Sequence, residues 1–328
     1  MNHAERINRS LSLEPIDRTP VALWRHFPVE DQEPGLLAKA VVRFQETFDF
    51  DLVKITPASS FCVKDWGVKD EWIGNPEGTR EFIHQVIKEP QDWLSLTPLF
   101  VHKGALADQL ECIRLVRMAL PKDTPVIQTI FSPLSQAKNL VGRDKLAAHI
   151  RLYPSEIKNA LDVIKETTIN FINSCKTLGI DGIFYAVQHA QAGILSPAEF
   201  DEFEYPYDME ILSNCQSFWL NIAHIHGVDI YFDKVSMFPI QVLNWHDQQT
   251  KPTLDDAKKN FGGIVCGGLK QWETLVNGSP TTVTQEAHRA IDATRGERFM
   301  LGTGCVLPVT APYANILAVR ESVEMEHK

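Results

Sequence analysis

Eight short apolar runs recur along the whole chain, separated by longer polar stretches with helical spacing: PVALWRHF, FDLVKITP, PVIQTIF, GIDGIFYAV, FWLNIAHIHG, VLNWH, GIVCGGL and FMLGTGC. Apolar runs of this length, bounded by turn residues, read as strands buried on both faces. Strands that alternate with helices build a parallel sheet. The intervening stretches are expected to be helical over Gly35 to Phe48, Glu156 to Leu178, Pro197 to Cys215, Thr281 to Arg295 and Pro312 to Val323. Ser196 before Pro197, and Thr253 at the head of TLDDAKKN, are helix start signals. Eight strand–helix units in 328 residues predict a single α/β domain of the (β/α)8 barrel type over 1–328. The alternative, a doubly wound open sheet, is weakened because no glycine-rich dinucleotide turn follows the first run. One longer excursion, 58–122, holds DWGVKDEWIGNPEGTREFIHQ and is expected to be an inserted cap or hairpin.

Charge and cysteine usage narrow the possible partners. The formal net charge is −10 and no lysine or arginine cluster exists, which argues against nucleic acid or an anionic membrane as partner. No window approaches the roughly 18 uncharged apolar residues that span a bilayer. The first thirty residues carry no secretion signal, so a cytoplasmic protein is expected. Cys62, Cys112, Cys175, Cys215, Cys266 and Cys305 lack paired spacing and are expected to be free thiols.

In a parallel barrel the chemistry sits at the carboxyl ends of the strands. Those ends carry Trp24, Arg25 and His26 in the first run, Lys54 and Thr56 in the second, and Tyr185, Gln188 and His189 in the fourth. The fifth ends in His224 and His226, the sixth in Asn244, His246 and Asp247, and the eighth in Thr303 and Cys305. Residues two apart on a strand share a face. Phe218, Leu220, Ile222, His224 and His226 therefore form one column with apolar lower layers and imidazoles on top. Phe299, Leu301, Thr303 and Cys305 form another. Two histidines and a thiolate would give zinc three protein ligands and an open position, the catalytic arrangement. The residues alone leave a second reading open, in which His224 and His226 are polar core residues satisfied by neighbours and Cys305 is a small buried side chain. Arg25, Lys54, Tyr185, His189, Asn244 and His246 are expected to shape the pocket as substrate-binding residues, whereas His246 and Asp247, being consecutive, should point to opposite faces.

Several stretches resemble one family, the uroporphyrinogen decarboxylase superfamily, which also contains cobalamin-dependent methyltransferases: EPIDRTPVALWRHFP, LGIDGIFYAVQHAQAGILSPAEFDEFEYPY, HIHG, VLNWHD, GGLKQWETL and LGTGCVLPVTAPYANILAVRESV. The resemblance spans nearly the whole chain and implies a distorted eight-stranded TIM barrel. It is closer to the methyltransferase branch. True decarboxylases hold their acidic tetrapyrrole with two N-terminal arginines, an aspartate after the second strand and a C-terminal histidine. Here Arg25 can match the first arginine, no second follows in RHFP, Thr56 and Pro57 stand at the aspartate's place, and Thr303 stands at the histidine's. The methyltransferases carry zinc on a His-x-Cys-Gly motif and a later cysteine, positions that match His224, His226 and Cys305.

The resemblance thus implies zinc on His224, His226 and Cys305, a corrinoid such as methylcobalamin carried by a partner protein, a small thiol or methyl ether as substrate, and a homodimer. His226 stands where the family has a cysteine. Two imidazoles and one thiolate leave zinc one positive charge richer than one imidazole and two thiolates, which favours polarising an oxygen over activating a thiolate. The alternatives are a uroporphyrinogen decarboxylase, which needs no metal, and a barrel that binds a small ligand or tetrapyrrole without catalysis.

Overall fold

The computed structural model describes residues 1–324. Nine strands occur among them: β1 (Val53–Ile55), β2 (Lys69–Glu71), β3 (Glu81–His84), β4 (Val126–Phe131), β5 (Gly182–Val187), β6 (Ile222–Ile225), β7 (Val242–Trp245), β8 (Ile264–Leu269) and β9 (Phe299–Thr303). Strand β1 and strands β4 to β9 pair in that order in one sheet, parallel at every join. Between β1 and β4 the chain leaves the sheet, and β2 and β3 form a separate antiparallel pair.

The first apolar run joins the sheet differently from the other seven. It makes isolated parallel bridges, Val21 with Leu301 and Arg25 with Leu307. On the β9 side Leu301 N donates to Pro20 O at 2.8 Å, and on the β1 side Asp51 N donates to Val21 O at 2.9 Å, so the sheet curls closed through this segment. The cause of the irregularity is local. Pro20 has no N–H, and the N–H of Val21 goes to the Asp51 carboxylate at 2.8 Å instead of to a ladder. Asp51 also takes Arg18 Nη1 at 2.6 Å and His3 Nδ1 at 3.0 Å, and Arg6 as well. This buried ion cluster ties the amino-terminal helix His3–Ser12 to the amino end of β1.

Helices pack outside the sheet by apolar faces of period 3.6. On Pro154–Lys176 the buried positions include Ile157, Leu161, Ile164, Thr168, Phe171 and Cys175, at spacings of three and four. Caps mark the expected starts: Ser196 Oγ accepts from Glu199 N at 3.2 Å, and Thr253 Oγ1 from Asp256 N at 3.3 Å. The stretch expected as one helix from Pro197 to Cys215 is two, Pro197–Phe203 and Tyr205–Asn214, broken at Glu204. Pro206 is the reason, because it cannot donate to the preceding turn and its ring crowds that turn's carbonyl. The break turns the Glu204 side chain inward. No helix among the described residues is long and apolar enough to cross a membrane, and the six cysteines are free thiols.

Candidate metal centre

Strands β6 and β7 pair in parallel with Ile222 against Val242, His224 against Asn244 and Ile225 against Trp245. The same register, carried past the strand ends, sets His226 beside His246. HIH and NWH therefore make a two-by-two array, each strand contributing one side chain to each layer. In the lower layer His224 Nδ1 and Asn244 Oδ1 are 2.7 Å apart. In the upper layer His226 Nδ1 and His246 Nε2 are 3.3 Å apart. Cys305, just past the end of β9, completes a group whose ligand atoms, one from each of His224, His226, His246 and Cys305, all lie within 4.8 Å of one another.

The array fits a metal ion on its own geometry. Two nitrogens about 2.0–2.1 Å from a tetrahedral zinc stand roughly 3.3 Å from each other, as His226 Nδ1 and His246 Nε2 do. His224 Nε2 is buried without a hydrogen-bond partner, an arrangement that costs about 1–3 kcal/mol unless something fills it. The Asn244 amide donates through Nδ2 to the carbonyls of Cys266 and Thr303, each at 2.9 Å, and only its oxygen is left for His224. His224 must then carry its proton on Nδ1 and present the Nε2 lone pair.

Electrostatics keep the donors available. Burial, with the nearby charges of His246 and His226, holds the His224 imidazole well below its usual range. Burial, with His246, takes His226 down to about 3, and burial alone lowers His246. All three rings are neutral near pH 7 and can act as ligands. Burial pushes the Cys305 thiol up to about 11, so binding as thiolate requires a cation to displace its proton.

One glycine is dictated by close approach. A Cβ on Gly304 would lie 2.7 Å from His246 Cα and 2.8 Å from Trp245 O. Glycine at this position lets the turn bearing Cys305 rest against the end of β7.

The remaining candidate residues divide between the two sides of the wall. Lys54 lies inside, its Nζ 3.0 Å from Thr56 Oγ1 and 4.5 Å from the centre of the Phe184 ring. Burial takes it down to about 7, and no carboxylate among the described residues forms an ion pair with it. Phe184 stacks on His224 at 5.6 Å and meets Trp24 edge-on at 5.2 Å. Arg25 donates to His26 O at 3.2 Å and lies over Phe27. Tyr185 does not line the pocket, since its hydroxyl donates to Asp208 Oδ1 at 2.6 Å in the helix layer. Consecutive strand residues face opposite ways, so Phe184 is turned inward where Tyr185 is turned outward. His189 is buried, with Nδ1 3.7 Å from Glu204 Oε2. Asp247 is turned away from the cluster and accepts from Gly268 N at 3.0 Å. A cavity of about 150 Å³ opens beside His246 and Gly304, lined further by Gln248, Gln249, Lys270 and Gln271.

Reading the strand ends missed Phe184 as a wall of the site, named Trp24 without giving it a role, and gave His246 no ligand role. The parallel register of HIH with NWH was the signal that would have supplied the latter.

Comparison with known proteins agrees with this architecture. The sequence profile of the family described as uroporphyrinogen decarboxylase (URO-D) matches residues 2–325. The methylcobamide:CoM methyltransferase MtbA of Methanosarcina acetivorans is 22% identical, over 95% of this chain and 94% of its own. A uroporphyrinogen decarboxylase of Syntrophotalea carbinolica is 28% identical, over 62% of this chain and 60% of its own. The solved structure of a methyltransferase from Methanosarcina mazei superposes with a TM-score of 0.85 over 98% of both chains at 19% identity, a likeness of fold. The curled parallel sheet and the match along almost the entire length lead to one conclusion: the chain belongs to the uroporphyrinogen decarboxylase (URO-D) family.

Proposed function

We propose that the chain exchanges a methyl group between the heteroatom of a small substrate, a thiol or a methyl ether, and a corrinoid carried by a partner protein, with zinc held by His224, His226 and Cys305 and with His246 as a fourth ligand that the substrate heteroatom would displace. The convergence of three neutral imidazoles and one thiol at the carboxyl ends of the strands carries this reading. Similarity along the whole chain to methylcobamide:CoM methyltransferases supports it. Zinc bound there would supply Lewis acidity to the substrate heteroatom.

The chain's own residues prepare the site. Asn244 holds His224 in the tautomer that leaves Nε2 free. Trp24 and Phe184 wall the inner side with apolar surface and keep water from His224. Lys54, which burial takes down to about 7, is only partly protonated at neutral pH; in its charged form it lies across the Phe184 ring without a carboxylate partner and favours the anionic form of a thiol or alcohol in the pocket. The cavity beside His246 is of a size for a small substrate and offers carboxamide, ammonium and, from Glu273, carboxylate groups to orient it. No corrinoid-binding motif is present in the sequence, which fits a corrinoid brought by another protein to a cytoplasmic enzyme.

The test uses protein purified without chelator. Zinc near one equivalent per chain is expected, together with thiol-dependent consumption of methylcobalamin that stops when the metal is removed. Decarboxylation of uroporphyrinogen by the metal-free protein at a useful rate would overturn the reading in favour of a decarboxylase. Retention of a small ligand with turnover in neither assay would point to a binding barrel.

A further inference from the structure

The cavity that opens beside His246 lies between two turns, each leaving the carboxyl end of one of two neighbouring strands. One follows β7: Gln249 N and Thr250 N donate to His246 O at 2.8 and 2.9 Å, which curls the chain tightly after His246. The other follows β8 and is the π-helical turn Gln271–Val276, in which Leu275 N donates to Lys270 O at 3.1 Å and Asn277 N to Trp272 O at 3.0 Å. Asn315, on the helix Tyr313–Ser322, fastens this second turn by donating to Leu275 O at 3.0 Å and to Gly278 O at 2.9 Å. Both walls are therefore held by main-chain hydrogen bonds.

These turns bring charge of both signs to the cavity. Lys270 and Glu273 line it from exposed positions. Neither side chain makes a hydrogen bond or an ion pair among the described residues, whereas the Lys270 main chain is anchored, its N donating to Glu286 Oε2 at 3.1 Å. Two carboxamides in the lining have committed their nitrogens, Gln248 Nε2 to Asp247 Oδ2 at 2.7 Å and Gln271 Nε2 to Val306 O. Their oxygens have no donor among the described residues and remain to accept from a ligand. The lining thus offers one ammonium and, beside it, a carboxylate with two amide oxygens. A ligand that matches it carries an anionic group for the first and an N–H-bearing cation for the second.

Size and position limit that ligand further. The cavity holds about 150 Å³, below the roughly 300 Å³ at which pockets for drug-sized ligands begin. It reaches His246 and Gly304, the residue before Cys305, so a head group held at the rim leaves the rest of a short molecule at the metal centre. We propose that the small substrate is a zwitterion, an α-amino acid whose side chain carries the thiol or methylated heteroatom, with its carboxylate on Lys270 and its ammonium on Glu273. The inference rests on the methyl-transfer reading and names the substrate class of that same site. The two charged residues set specificity, and the heteroatom reaches the position of His246. In transfer to the thiol of such an amino acid, the S–H proton goes to solvent and a C–S bond forms. The C–Co bond of methylcobalamin breaks with its electron pair left on cobalt.

Two measurements on the full chain test this. By calorimetry with metal-free protein, S-methyl-L-cysteine should bind about 10-fold more tightly than S-methylcysteamine, which lacks the carboxylate, or methylthiopropionate, which lacks the ammonium. Lys270→Met should abolish the preference over the amine, and Glu273→Gln the preference over the acid. Equal or weaker binding of S-methyl-L-cysteine, or preferences that survive in both variants, overturns the proposal. With zinc-loaded protein and methylcobalamin, kcat/KM for L-cysteine should exceed that for cysteamine and for mercaptopropionate by a similar factor. Turnover of all three thiols without that advantage overturns the zwitterion and leaves methyl transfer standing. Turnover of none overturns the methyl-transfer reading, while the calorimetric preference still decides whether the cavity selects a zwitterion.

Discussion

Asn244 Oδ1 accepts from His224 Nδ1 at 2.7 Å, while both N–H groups of the same amide are spent on the carbonyls of Cys266 and Thr303. The amide cannot flip without losing two buried hydrogen bonds, so the tautomer of His224 is set by strands β8 and β9. Replacing Asn244 with leucine should weaken zinc binding by about 10–100-fold. Competition against a chromophoric chelator measures this, and wild-type affinity in a folded Asn244→Leu protein would remove the tautomer argument.

The four candidate ligands should not be equal. His224 is held by Asn244, whereas His246 Nδ1 is buried without a partner and its ring is held only through the other candidate ligands, His226 above all. His224→Ala and Cys305→Ala are expected to lose zinc after dialysis. His246→Ala should retain about one zinc per chain at reduced affinity, since three ligands suffice for a catalytic site. Unchanged stoichiometry in both His224→Ala and Cys305→Ala would take away the basis of the metal reading.

Gly304 links the two halves of the cluster through backbone contact. A methyl group there would lie 2.7 Å from His246 Cα and 2.8 Å from Trp245 O, both parts of main chain that cannot swing aside. Gly304→Ala should therefore push the Cys305 turn away from β7 and lower zinc affinity at least about 10-fold, with thermal stability changed by only about 1–2 kcal/mol. Isothermal titration with zinc beside a denaturant melt separates the two effects.

At the opposite end of the barrel, Asp51 gives the fold a pH dependence whose sign follows from its partners. Burial pushes the Asp51 carboxyl up, but hydrogen bonds from His3 and Arg18 and the charges of Arg18 and Arg6 outweigh it and leave the group at about 2. A depressed carboxyl contributes stability above its unfolded value near 4, and that contribution is lost as pH falls from there toward about 2. Its size is about 2 kcal/mol. Asp51→Asn should cost about 3–5 kcal/mol near pH 7 by stranding the arginines, and less at pH 3. Urea unfolding at the two pH values checks this; equal losses at both would show that the ion cluster is not the cause.

Periodicity made the barrel legible because each layer of a parallel sheet needs its own run of apolar residues, and all seven strands of the large sheet lie within runs visible in the sequence. It could not show that Val21 would pair only by isolated bridges, since that depends on Asp51, thirty residues away, taking its N–H. Nor could it show the break at Glu204 as an inward corner, although Pro206 was there to be read.

The candidate site divides in the same way. HIHG by itself placed two imidazoles on one face at a strand end, because side-chain direction along a strand has period two. Whether those imidazoles had partners was decided by register. Only the parallel pairing of β6 with β7 sets Asn244 against His224 and carries His246 to His226, and only the approach of Gly304 brings Cys305 to them. Local sequence sets which way a side chain points, whereas the distances between ligands on four different segments depend on long-range backbone pairing that no single stretch contains.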